Sequence, residues 1–167
     1  YRATLNLNGG GSLARYYVSV SYVDEGGMYK VDEGLKDYNT NANYRRWNYR
    51  LNVDMDITKS TLLKVGVAGS LDKKNEPGMA GNIWASAMRN NPISVPVMYS
   101  NGYVPAYGSE NDQLNPWVAA TQTGYQETWN NKLQANATLE QSLNFITKGL
   151  KFIGRYGFDT NNYQWIN

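Results

Sequence analysis

The feature that most constrains this chain is a strict two-residue alternation, held over runs too long for ordinary strands. Between 45 and 57, Trp47, Tyr49, Leu51, Val53, Met55 and Ile57 fall on one side, and Arg46, Asn48, Arg50, Asn52, Asp54 and Asp56 on the other. No apolar residue breaks the polar side over these six positions. A helix turns 100° per residue and would mix the two classes, whereas a strand throws successive side chains to opposite faces. The stretch is therefore an extended strand with two different surroundings.

The same rule finds partners. In 62–72, Leu63, Val65, Val67 and Leu71 oppose Lys64, Gly66, Ala68, Ser70 and Asp72. In 127–140, Trp129, Leu133, Ala135, Ala137 and Leu139 oppose Thr128, Lys132, Gln134, Asn136, Thr138 and Glu140, with Asn131 an exception on the apolar side. In 149–160, Leu150, Phe152, Tyr156 and Phe158 oppose Lys151, Arg155 and Asp159, and Ile153 breaks the pattern. Residues 15–24 alternate around Tyr16, Val18, Val20 and Tyr22, and 2–8 around Ala3, Leu5 and Leu7, which makes six expected strands. Gly9–Ala14, Thr58–Thr61 and Gln141–Lys148 read as short turns. Residues 25–44 and 73–126 read as long loops, a short helix being expected at Met79–Asn90 inside the second.

Two architectures alternate in this way: a soluble antiparallel sheet with one wet face, and a membrane β-barrel. Several runs reach about ten residues, the length a tilted membrane strand needs. Trp47, Tyr49, Trp129, Tyr156, Phe158 and Tyr22 gather at the long-loop ends of their strands, while Leu, Val, Ile and Ala fill the middles. Trp and Tyr favour a membrane interface, where ring and polar tip are both satisfied. A sandwich core has no reason to sort them so. The expectation is an all-β, antiparallel transmembrane barrel segment with long extracellular loops. On its polar face, Asp54 or Asp56 is expected opposite Lys64, and Glu140 near Lys151, as cross-strand pairs.

Composition then removes whole classes of chemistry. The 167 residues contain no His and no Cys, so Ser-His-Asp and Cys-His catalysis cannot be built from this chain. The carboxylates Asp24, Glu25, Asp32, Glu33, Glu76, Glu110 and Asp112 lie in polar loop sequence, where solvation is the default, so the chain is not expected to be an enzyme or to need a cofactor or metal. A net charge of +2 gives no reason to expect nucleic acid. Asn136-Ala137-Thr138 fits a glycosylation sequon but sits mid-strand. The candidate substrate-binding residues are the loop aromatics Trp84, Tyr99, Tyr103, Tyr107 and Trp117, able to stack on sugar rings or to pack the loop. Arg46, Arg50 and Arg155 are a sharper option along a substrate path, against a plain solvated face.

Several runs resemble one family. Arg15-Tyr16-Tyr17-Val18-Ser19-Val20-Ser21-Tyr22 followed by Asp24-Glu25-Gly26-Gly27, the run Trp47 to Lys59, and Phe145-Ile146-Thr147-Lys148-Gly149-Leu150-Lys151 followed by Gly154-Arg155 are similar to strands and hairpins of the SusC/RagA family of TonB-dependent outer-membrane transporters. The resemblance implies a barrel of about 22 strands around a plug. It also implies import of glycans, oligosaccharides or peptides driven through TonB, and a SusD-like surface lipoprotein as a lid. The expected location is the outer membrane of a Gram-negative, Bacteroidetes-like cell, in contact with outer-membrane lipid. Six strands are too few to close a barrel, since examples start at roughly eight. Residues 1–167, which begin at Tyr1, are therefore expected to be part of a larger receptor barrel, without its signal peptide, plug and remaining strands. A soluble or surface β-rich glycan-binding module, and a passive porin or adhesin barrel, are the alternatives.

Overall fold

A computed structural model describes residues 1–34, 37–91, 93, 96–105 and 114–167. The six expected strands all form: β1 (Arg2–Gly10), β2 (Ala14–Gly26), β3 (Asn43–Thr58), β4 (Thr61–Pro77), β5 (Tyr125–Ser142) and β6 (Lys151–Ile166). They pair antiparallel in one open sheet in the order β1-β2-β3-β4-β5-β6, a meander in which every strand neighbours the next in sequence. In the first hairpin Leu5 faces Val20 and Gly9 faces Tyr16. Two helices follow β4, α1 (Ala80–Arg89) and α2 (Pro116–Thr121).

Contacts between strands show that the two sequence faces are real. On the apolar face the rings of Tyr22 and Trp47 pack with centroids 4.4 Å apart, and Tyr1 meets Tyr22 edge-on at 6.5 Å. On the polar face Asn48 Nδ2 donates to Ser21 Oγ at 3.1 Å, Arg46 Nε lies 3.2 Å from Asp72, and Gly66 lies against Asn136. The expected charge pairs form with different partners. Lys64 pairs with Glu140 at 2.6 Å rather than with Asp54 or Asp56, and Asp56 lies 3.7 Å from Arg15. Lysine is long enough to choose between its two flanking strands, so the turn alone does not settle its partner.

The strands are longer than the alternation indicates. β4 continues to Pro77 and β5 begins at Tyr125. The added stretch Lys73-Lys74-Asn75-Glu76 is polar on both sides and carries no periodic signal, yet Lys73 bridges to Glu127 at 2.8 Å.

The chain divides into two compact units. The first holds Tyr1–Asp24, Arg45–Asp72 and Trp129–Gln164, and the second Glu25–Tyr44, Lys73–Thr128 and Trp165–Asn167. In the second unit Ile83, Leu114, Ala119 and Ala120 form a buried cluster with Tyr29 and Met79 against it. The first unit is built differently: among the described residues its one buried hydrophobic side chain is Val23.

Candidate functional site

The first unit carries a concavity on its polar face. Its volume is about 620 Å³, and its lining comes from five strands: Tyr17 and Ser19 on β2, Arg46, Asn48 and Arg50 on β3, Ala68 and Ser70 on β4, Lys132 and Gln134 on β5, and Asp159 on β6. Its depth follows from the sequence of β4. Gly66, Ala68 and Ser70 put almost no bulk on this face of the strand, while its neighbours carry arginine, lysine and glutamine at the same level. Adjacent strands lie about 4.8 Å apart, so a low central strand leaves a trough roughly 10 Å wide between the chains on either side.

Not all of the charge in this trough is committed. Arg46 is fixed by Asp72 and by Asn48, whose Oδ1 accepts from its Nε at 2.8 Å. Arg50, Lys132 and Asp159 line the trough with no ion pair among the described residues. Two of the three arginines singled out as substrate-path options therefore lie together here, and Arg155 does not line the trough. Lys132, Gln134 and Asp159 were legible only as members of a polar face. The available signal was the run of small residues on β4 between two strands of long ones.

The expected loop aromatics belong to the second unit. Trp84 stands on α1, 60% exposed, and Tyr103 is 73% exposed. Tyr99 and Tyr103 share one turn, in which Tyr99 N–H donates to the Tyr103 carbonyl at 2.8 Å and Gly102 N–H to the Tyr99 carbonyl at 3.0 Å. Trp117 is half-buried in the first turn of α2, where its N–H donates to Asn115 Oδ1 at 2.9 Å. Tyr107, with the carboxylates Glu110 and Asp112, lies outside the described residues. The sequence reading missed a stacked pair in this unit, Tyr38 and Tyr125, with centroids 6.0 Å apart.

Three of the other loop carboxylates are engaged locally. Asp24 takes Arg45 at 3.3 Å, Glu76 takes Lys74 at 2.7 Å, and Asp32 Oδ1 accepts from Gly34 N–H at 2.9 Å. Glu25 lines a small recess of about 190 Å³ beside Lys74 and Asn75. Among the described residues no group of three or more carboxylates gathers as a metal site, and no helix is long and apolar enough to cross a membrane. No family model and no curated protein matches the chain.

Proposed function

We propose that the six strands form part of the wall of an outer-membrane β-barrel, and that the chain serves nutrient import of the SusC-like, TonB-dependent kind. The observation that carries this reading is an apolar sheet face with nothing over it. Leu5, Leu7, Leu51, Ile57, Leu139, Phe152 and Phe158 are all between 39% and 71% exposed. Soluble monomers rarely expose contiguous apolar patches beyond a few hundred Å². Fully burying a large apolar side chain stabilises a fold by about 1.5–3 kcal/mol, so seven left about half exposed to water would forfeit an amount comparable to a typical domain's net stability. In a hydrocarbon layer the same face is satisfied, and the polar face turns to a wet interior.

The aromatics fit that reading. Tyr1, Tyr22 and Trp47 form a continuous band on the apolar face, and Arg45 with Asp24 lies at the same end of β2 and β3. Rings beside charged groups, at one end of an aliphatic surface, are what a membrane interface favours. Six strands leave β1 and β6 as open edges, which lipid does not tolerate, so the wall requires further strands to close it. The assignment to glycan or peptide import, with TonB and a SusD-like lid as partners, rests on the resemblance of the hairpins.

The test is growth. Deleting the gene is expected to abolish growth on one class of oligosaccharide or peptide and to leave growth on the corresponding monomer unchanged. Undiminished growth on every oligosaccharide and peptide that the parent strain uses would overturn the importer reading.

A further inference from the structure

We infer that the trough on the polar face is a binding site for an acidic saccharide, a chain of sugar rings that carries carboxylate groups. Three observations on the first unit converge. The trough has the volume of a small-molecule site rather than a groove between neighbouring side chains, at about 620 Å³. Its cations are unequal: Arg46 is held by Asp72 and Asn48, while Arg50 and Lys132 have no carboxylate partner among the described residues. The lining between and beside them is amide and hydroxyl, with Ser19, Asn48, Ser70, Gln134, Thr160 and Asn161.

Each part has a chemical reading. Arg50 offers a planar fork of N–H donors that fits a carboxylate with two parallel bonds, and Lys132 adds a point charge from the far side of β4. Amides and hydroxyls both donate and accept, which suits a ring bearing several hydroxyl groups. Tyr17, on the same face of β2, supplies an aromatic surface at the edge of the trough. Asp159 lies on the β6 side and makes no ion pair among the described residues. It accepts hydrogen bonds from sugar hydroxyls there, and its charge opposes that of the ligand. A neutral saccharide would use the amides and leave both cations unanswered. A simple anion would use the cations and leave the amides to water.

The inference names the substrate class of the importer proposed above and rests on that reading only for transport; binding at the trough does not require it. The full-length protein, purified in detergent, is titrated calorimetrically with trigalacturonate and with neutral maltotriose. Trigalacturonate is expected to bind about tenfold more tightly than maltotriose, the scale of one or two charge-assisted hydrogen bonds. R50Q with K132Q is expected to lose about that factor for trigalacturonate and less than about twofold for maltotriose. D159N is expected to bind trigalacturonate about threefold more tightly, by removing a like charge. Equal affinity for the two sugars, no binding of trigalacturonate, or a double variant that binds it unchanged would overturn the inference. Recovery of each variant in the outer-membrane fraction, measured in parallel, separates loss of the site from failure of the membrane reading.

Discussion

Single residues decide how closely neighbouring strands of this sheet approach one another. Two glycines on the apolar face sit under tyrosines from the neighbouring strand. The phenol of Tyr16 covers Gly9, and that of Tyr49 covers Gly69, where the Lys132 carbonyl also closes in. An aromatic ring laid over a strand glycine restores the packing surface that glycine lacks. The two sites nevertheless differ. At Gly9 a new Cβ meets only the end of a flexible side chain, so Gly9→Ala is expected to cost less than about 1 kcal/mol. At Gly69 the obstacle includes backbone, so Gly69→Ala is expected to cost about 1–3 kcal/mol. The urea midpoints of the two variants in lipid vesicles check this, and similar costs would contradict it. The Lys64–Glu140 pair is short but partly exposed on both sides, at 41% and 28%. Lys64→Met is accordingly expected to shift the same midpoint by less than about 1 kcal/mol.

At the scale of elements, strands were legible and their ends were not. Residues 45–57 gave β3 almost complete because the polarity alternates to its ends, and the structure extends it only to Asn43–Thr58. The end of β4 escaped because charged residues occupy both faces there, where Lys73 pairs with Glu127, and the ends of β5 add only Tyr125, Gln126, Gln141 and Ser142, too few to extend the alternation. The expected helix at Met79–Asn90 appears as Ala80–Arg89, held through Ile83 and the buried Ser86, whose hydroxyl donates to the Asn82 carbonyl at 2.7 Å. Helix α2 was missed. Its six residues carry too little periodicity to register, although Asn115-Pro116 is a helix-start signal, an N-cap followed by proline at the first helical position. Asn115 is almost wholly buried, and its side chain takes the Trp117 N–H at 2.9 Å. Asn115→Ala is expected to destabilise the second unit by about 1–2 kcal/mol. Faster amide exchange at Trp117 to Thr121, with exchange in β2 and β3 unchanged, would show it, and unchanged exchange in α2 would refute it.

For the molecule as a whole, the two units differ in where they place their apolar side chains. The second unit buries a small apolar cluster in the way a soluble protein does, whereas the first places its aliphatic and aromatic side chains on an open sheet face. The alternation made those two faces legible from the sequence. The trough was not legible, because it depends on which small residues of β4 fall between which long ones of β3 and β5, and that is set by register. The absence of cysteine makes the central claim directly measurable, since a single cysteine introduced into this chain carries a spin label without competition from it. Labels at L51C and F152C probe the apolar face, and labels at N52C and T138C the polar face, in the full-length protein within outer-membrane vesicles. Molecular oxygen, which concentrates in lipid, is expected to relax the first two labels more than a water-soluble nickel chelate does, and the order is expected to reverse for the other two. Nickel access equal on both faces would contradict the membrane reading.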